Sequence, residues 1–590
     1  MPERLTNTPR RPVAALRRLV LCACLSPLIL PAHAQQPLEV DLEAPAEVRA
    51  LLESHVRLLG DEVVLPEAGP DRSAMVRRAR REVVELLATE GYFRPSVRFD
   101  REEAERWRLI VEPGQRAMVS VVTLRFAGAL AEAGEAEQAR IADLREAWTL
   151  GEGMAFRQAE WDAAKQRLLD QVGARLYAAA RITHSRAEVD PEAGEVRLEV
   201  DIDSGPPFYL GALDVSGIDA LPKGIVERYS TLEAGDPYDR DELLAFQAGL
   251  QNEPQFAAVI VEIDRDPARA AATPVRVQVA EALPKRLGFG VGYSTNTGYR
   301  VETSYRDVNL RKRGWELVSG IRLEQKRQSA FADVFLPPKQ GKHRDSFGAL
   351  LDRSDLEGLK VTSQAIGVAR ATQRDDIETR LALRLQHEEL EPDGAEATST
   401  RTVTGNWTWI KRSVDDLLDP RQGYVLEVQL GAGTTVAPSD RRFTRAYLRH
   451  VRYLSVADRD VLILRGELGA TFAGSREGIP QDFLFRTGGS QSVRGYAYQS
   501  LGVEEGNATV GGRYLGTASA EYVHWLRPQW GVAAFVDTGD AADSRNEFDL
   551  KTGYGLGARW LSPAGPLAID LAYGHDDSKL RLHFGVAIAF

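Results

Sequence analysis

From Leu287 to the end of the chain, apolar and aromatic residues alternate with small, polar or charged ones. In "LGFGVGYSTNTGYR" (287–300), Leu287, Phe289, Val291 and Tyr293 fall on one side and Gly288, Gly290, Gly292 and Ser294 on the other. "TGYGLGARW" (552–560) opposes Tyr554, Leu556, Ala558 and Trp560 to Gly553, Gly555, Gly557 and Arg559. "GPLAIDLAYG" (565–574) sets Leu567, Ile569, Leu571 and Tyr573 against Ala568, Asp570, Ala572 and Gly574. The last ten residues, "RLHFGVAIAF", set Leu582, Phe584, Val586, Ile588 and Phe590 against Arg581, His583, Gly585, Ala587 and Ala589. A period of two is the signature of strands with one apolar face. A soluble sandwich alternates too. Recurrence of segments of about ten residues to the last residue, with aromatics near segment ends, favours a transmembrane barrel. Closure removes the unpaired edges that lipid could not satisfy. The spacing predicts sixteen antiparallel strands over 284–590. The first (about 285–294) and last (about 581–590) must meet to close the ring. Gly288, Gly290 and Gly292 offer little cross-strand packing there, so the seam with the strand ending at Phe590 is expected to be weak.

Residues 37–283 obey another rule. "AEVRALLESHVRLL" (46–59) and "MVRRARREVVELLATEGYF" (75–93) carry apolar residues at helical spacing, and "RWRLIVEPG" (106–114) then alternates as a strand. "MVSVVTLRFAG" (118–128), a long helical stretch over 159–180 and "EVRLEVDIDSG" (195–205) repeat the scheme. A third round runs from "FYLGALDVSG" (208–217) through "DRDELLAFQAGLQ" (239–251) to "FAAVIVEID" (256–264) and "VRVQVAE" (275–281). Three small α+β domains are predicted, at 37–116, 117–205 and 206–283. Such sheets have open edges to which an extended segment can add as a strand, and spacing alone is the plainer role for them.

The N-terminus reads as an export signal. Arg10, Arg11, Arg17 and Arg18 precede the apolar run "LVLCACLSPLIL" (19–30), and small residues at Ala32 and Ala34 predict a signal peptide over 1–34. Both cysteines, Cys22 and Cys24, fall inside it. The remainder is then cysteine-free, which excludes disulfides, thiolate nucleophiles and cysteine metal sites. A formal charge of -11 argues against a nucleic-acid partner.

One loop stands out against the strands. "GGSQSVRGYAYQSLG" (488–502) places Arg494 between Val493 and Gly495-Tyr496 in a glycine-rich setting. In the next predicted strands, Glu521 shares a face with Thr517 and Ser519, and Asp537 lies opposite the apolar set Val532, Ala534 and Val536. Both carboxylates should therefore point into the lumen. If the loop (about 473–512) folds back inside, Arg494 can make charge-assisted, bidentate bonds to Asp537 and Glu521. Gly488, Gly489 and Gly495 would let its backbone turn and approach the wall. The alternative is a solvated surface loop.

Three repeats, a C-terminal barrel and a long loop carrying "VRGY" resemble the Omp85 superfamily. "DPRQG" (419–423), "TASAEY" (517–522), "FVDTG" (535–539), "GLGARWLSPAGPLAIDLAYG" (555–574) and a terminal Phe590 resemble its other motifs, in the same order. The resemblance implies that the repeats are polypeptide-transport-associated (POTRA) domains in the periplasm and the barrel an outer-membrane insertase or translocation subunit. It also implies the contact of Arg494 with the barrel wall. Repeat number resembles the TamA branch, the outer-membrane subunit of the translocation and assembly module. That branch implies a TamB-like periplasm-spanning partner, unfolded outer-membrane protein clients and outer-membrane lipid as partners. A BamA-like general assembly factor, a two-partner secretion transporter and a passive channel with periplasmic extensions stay open. No HExxH, GxSxG or phosphate-cradling motif occurs, so neither enzyme activity nor a cofactor or metal is expected.

Overall fold

The computed structural model describes residues 39–60, 70–101, 106–132, 134–339, 343–437, 441–457, 459–563 and 565–589. The predicted signal (1–34), with Cys22 and Cys24, and the terminal Phe590 lie outside the described residues. The chain packs as two compact bodies. One comprises the chain up to Ala127 with Ala131–Gln171 and Arg181–Asp203; the other holds Gly128–Leu130, Val172–Ala180 and everything from Ser204 onward.

Each of the three α+β units has a three-stranded sheet with one parallel and one antiparallel pairing. In the first, Arg106–Glu112 is central, parallel to Glu39–Glu43 and antiparallel to Ser96–Arg101. Its helices Ala46–His55 and Pro70–Thr89 close over a core built on Leu52, Val83, Leu87 and Leu109. The second repeats the order with Glu195–Asp203 central between Met118–Ala127 and Arg181–Asp190. The third places Thr273–Glu281 between Leu210–Ser216 and Phe256–Ile263. Its helix Arg240–Gln251 starts at Asp239, whose carboxylate accepts the amides of Asp241 and Glu242 and so caps it.

The helical stretch expected over 159–180 is shorter. The helix is Gln158–Gly173. Leu176 then takes a φ of +63°, its amide donates to the Tyr238 carbonyl and its own carbonyl accepts the Phe208 amide. Ala178 is buried in the core of the third unit. Tertiary bonds win here over a helical apolar pattern.

From Lys285 to Ala589 sixteen antiparallel strands form a closed barrel, each paired with its sequence neighbour and the last with the first. The alternation sets the faces. Leu287, Phe289 and Val291 of the first strand are exposed on the outside, as are Leu381, Leu383 and Leu385 of the seventh, Ile377–Pro392. The inside carries charge. Glu316, Glu388, Glu521, Asp537 and Asp570 are all buried.

The third unit meets the barrel on the side of the short turns. Asn309 Nδ2 donates to the Ala220 carbonyl at 2.9 Å and Gln255 Nε2 to the Gly314 carbonyl at 3.4 Å. Arg306 and Arg344 both pair with the buried Glu316, at 3.2 Å from Arg306 Nε. Tyr229 donates its hydroxyl to Glu253 at 3.2 Å. Burial at this joint pushes the Glu253 carboxyl above its ordinary range, with the Arg344 guanidinium opposing.

Candidate functional site

The long segment between Phe472 and Tyr514 is folded inside the barrel, where it has its own anchors. Phe483 packs edge-on against Phe443 with ring centres 5.0 Å apart, and Phe485 lies under the Arg445 guanidinium at 4.7 Å. The Gln481 amide donates to the buried Glu388 at 3.0 Å. A short hairpin, Val503–Glu505 with Ala508–Val510, covers Leu359, Val361 and Leu390 of the wall. A polar cavity of about 540 Å³ remains alongside, lined in part by Arg327, Asp352, Arg384 and Glu467.

Arg494 sits at the centre of the segment, 2% exposed. Its Nε and Nη2 donate to the two oxygens of Asp537 at 2.7 and 2.9 Å, a bidentate fork, and its backbone amide adds a third bond to Oδ2 at 3.1 Å. Nη1 donates to Glu521 Oε2 at 2.9 Å and to Asp570 Oδ2 at 3.2 Å. The guanidinium lies 3.5 Å from the Phe535 ring centre. The charges are balanced by two further arginines of the wall. Arg559 bridges Glu521 and Asp570, with Nη2 and Nη1 at 2.7 and 2.6 Å, and Arg465 reaches Glu521 at 3.2 Å. Three cations and three carboxylates thus share one water-poor site, which reduces the cost of burying any one of them.

The flanking residues extend the contact to the last strand. Gly495 has a φ of +98°, and a Cβ there would stand 2.8 Å from the Gly574 nitrogen. Its amide donates to His583 Nε2 at 2.9 Å and its carbonyl accepts from Arg581. On the wall, a Cβ at Gly553 would sit 1.8 Å from the Arg494 carbonyl oxygen, so only glycine admits the loop at this height. Tyr496 donates its hydroxyl to Asp576 at 2.6 Å. Burial first, and then that carboxylate, push the Tyr496 hydroxyl up to about 12. Val493 is fully buried with Tyr496 and Leu501. Gly488 and Gly489 both turn at φ +101°.

Arg494 therefore meets both predicted wall carboxylates, with Val493, Gly495 and Tyr496 beside it, while Gly488 and Gly489 turn the loop against its own residues 497–501. Sequence reading missed Asp570, Arg559, Arg465, His583, Arg581 and Asp576. The signal for Asp570, Arg559, Arg581 and His583 was present, since strand parity puts all four on the small-residue face. What was absent was the register that brings them to one height.

The seam lies beside this site. Residues 290–294 of the first strand pair with 585–589 of the last, whereas residues 285–294 all pair with the second strand. Among the described residues, Lys285 to Gly288 have no partner on the seam side. Gly290 and Gly292 stand in the paired stretch opposite Ala589 and Ala587, and Gly288 falls in the unpaired one. One side chain reinforces the paired end. Thr295 bonds both the carbonyl and the amide of Phe584, at 3.1 Å each. Among the described residues no group of three or more His, Cys, Asp or Glu could hold a metal ion.

A sixteen-stranded closed barrel behind small α+β units, with a lumenal loop clamped to its wall by an arginine, defines a class of outer-membrane-type β-barrel. The chain belongs to the Omp85 superfamily, whose superfamily domain matches residues 283–590. It is 24% identical over 422 residues to the outer membrane protein assembly factor BamA of Nitratidesulfovibrio vulgaris, a match covering 68% of this chain and 53% of that protein. The chain thus spans about half the length of the curated relative it matches. The crystal structure of BamA from Haemophilus ducreyi lacking POTRA domains 1-3 superposes with a TM-score of 0.67 at 14% identity, over 80% of this chain and all of that one. CdiB from Acinetobacter baumannii superposes with a TM-score of 0.46 at 15% identity, over 88% of this chain and 98% of that one.

Proposed function

We propose that this chain is an outer-membrane insertase or translocation subunit for β-barrel and autotransporter-type proteins. Its barrel stands in a bacterial outer membrane and its three α+β units, as POTRA domains spanning roughly 37–116, 117–205 and 206–283, lie in the periplasm. The apolar outer face supports the first part of that reading, because a band of leucine, valine and phenylalanine around a closed sheet has no other solvent to match it.

The observation that carries the reading is the seam. Among the described residues the ring is closed by pairing over residues 290–294, and a handful of backbone bonds, each worth about 1 kcal/mol net, holds it there. Separation exposes the free edge of the first strand, and a client strand can add to it by main-chain hydrogen bonds before release into lipid. Val493, Arg494, Gly495, Tyr496, Glu521 and Asp537 serve here as a brace that keeps the adjoining wall rigid while the seam moves. No step requires a cofactor or a covalent intermediate.

The test is a cross-link. Gly292→Cys with Ala587→Cys places two thiols on register partners, in a chain whose two native cysteines both fall in the predicted signal. Oxidation should abolish client insertion and reduction should restore it. Full insertion by the oxidised protein overturns the opening seam.

Within the superfamily the three units favour the TamA-like role, with a TamB-like periplasmic partner docking on them. The similarity to BamA of Nitratidesulfovibrio vulgaris favours a general assembly factor instead. Purification of the full chain from its membrane separates the two. Retention of a large periplasm-spanning protein through the first unit selects the former, and its absence the latter.

A further inference from the structure

Carboxylates interrupt the apolar pattern of the barrel's outer face at more than one place: Asp345, on the parity of the exposed Phe347 and Leu351, pairs with Arg370, and Asp460 is set differently. Asp460 opens the eleventh strand, Asp460–Phe472, on the same side as the exposed Leu464 and Leu468. It pairs in register with His524 of the twelfth strand, Tyr514–Arg527. His524 Nδ1 lies 2.6 Å from Asp460 Oδ1, and the Tyr522 hydroxyl donates to Oδ2. The Asp460 side chain is only 14% exposed, whereas His524 is 47% exposed and its Nε2 has no partner among the described residues. A charge on a lipid-facing surface is costly at the bilayer midplane and tolerated near the interface. Trp530 and Trp560, stacked at 5.1 Å with planes 7° apart, stand outward at the same end beside the short Pro528-Gln529 turn. Aromatic pairs of this kind mark headgroup depth.

An apolar groove of about 450 Å³ starts at this cluster. Its floor exists because two outward positions on neighbouring strands are small. Ala534 lies between Tyr522 and Leu556 in register, and Ala558 between Val532 and Ile569. Leu571 and Leu582 form the far wall.

We propose that this groove is a phospholipid site: it takes one acyl chain of a zwitterionic lipid with a primary ammonium, whose headgroup rests on Asp460 and His524. This rests on the reading that the barrel stands in a bilayer. The carboxylate of Asp460, held in place by Tyr522 and His524, accepts the ammonium. The exposed Arg527 at the turn supplies a positive charge for the phosphate. A headgroup with phosphate but no ammonium leaves Asp460 facing like charge, so the pair selects against anionic glycerol lipids. The chain then runs from the interface toward the midplane over Ala534 and Ala558.

The test uses the full chain in nanodiscs of equal phosphatidylethanolamine and phosphatidylglycerol, read by native mass spectrometry after detergent release. Wild type should retain one phosphatidylethanolamine in preference to phosphatidylglycerol. Asp460→Asn should lower that preference by roughly ten-fold, the loss of about 1.4 kcal/mol. The double variant Ala534→Leu with Ala558→Leu fills the groove and should release both lipids while leaving the headgroup residues in place. Equal retention of the two lipids by wild type, or unchanged retention by both variants, overturns the site. Heat-modifiable gel migration of the same samples separates the causes. A folded, inserted barrel without retained lipid sinks this inference alone, and a wild-type chain that fails to insert sinks the membrane reading and this site with it.

Discussion

Two neighbouring stretches of one barrel wall are held together in opposite ways. From the eleventh to the fifteenth strand the wall is braced from inside by three arginines and three carboxylates, nearly all out of reach of water. One strand further on, among the described residues, the ring is closed by main-chain pairing over residues 290–294 and by the amide and hydroxyl of Thr295 on Phe584. The brace reaches the last strand itself, since Arg581 and His583 hold Gly495. The first strand receives no such support from the Arg494 cluster. The first hairpin meets the lumenal loop elsewhere, through Asn296 Nδ2 donating to Ser490 Oγ at 3.0 Å. On the proposed reading of an opening seam, the weaker hold is therefore on the first strand.

The largest effect should come from breaking the brace. Asp537→Ala strips the bidentate partner from a buried guanidinium and should cost about 3–5 kcal/mol, the usual result of leaving a buried charge uncompensated. Arg494→Lys keeps the charge and loses the fork, so its loss should be smaller but in the same direction. Both should lower the temperature at which the folded barrel loses its heat-modifiable migration and expose the 473–512 loop to protease. Wild-type resistance in both variants would mean that the network is not what holds the wall. Tyr496→Phe should follow at about 1.5–3 kcal/mol, because it removes a hydrogen bond to the Asp576 carboxylate while keeping the buried ring.

The opposite intervention acts on the seam. Thr295→Val keeps the shape of the side chain and removes the hydroxyl that bonds both backbone groups of Phe584. Its cost should be about 1 kcal/mol, small on the whole barrel but a large part of what closes the ring. Hydrogen exchange should report it as faster amide exchange confined to 290–294 and 585–589. Acceleration spread evenly over all strands would erase the distinction between seam and wall.

Much of this contrast was legible in the sequence, and the limits of that legibility are physical. Alternation gave sixteen strands and put Glu521 and Asp537 on the inner face, because side-chain direction in a strand depends only on parity. Height along the barrel depends on register, which no single strand carries. Asp570 and Arg559 were on the correct face and still unassigned, because nothing in "GPLAIDLAYG" says that Asp570 stands beside Gly557, two residues from Arg559. The shortened helix at Gly173 failed for a related reason. Its continuation, "ARLYAAA", is helical in pattern, and partners far off in sequence pull it out of the helix: the carbonyl of Tyr238 and the amides of Phe208 and Arg240. The seam glycines were readable as weak packing.

The smallest effect concerns a third region, the joint between the third α+β unit and the barrel, where a carboxyl is buried instead of clamped. Glu253 accepts from Tyr229, and Arg344 stands 4.0 Å away, shared with Glu316. Burial raises its folded-state affinity for a proton above that in the unfolded chain. The folded joint therefore binds the more protons, and its stability must fall as pH rises. The contribution is fully present below the ordinary carboxyl value near 4.5 and is lost as pH climbs through the raised one. Glu253→Gln keeps a hydrogen-bond acceptor for Tyr229 and cannot ionise, so it should flatten this slope while leaving the acid-side stability nearly unchanged. The melting temperature of wild type and variant, followed from pH 4 to pH 7, checks it. The two curves should coincide at the acid end and part toward neutrality, with the variant higher by about 1 kcal/mol at most, because Arg344 offsets part of the burial cost. A variant that melts below wild type toward neutrality would show that ionised Glu253 is a brace of the Asp537 kind, and that the joint belongs with the wall and not with the seam.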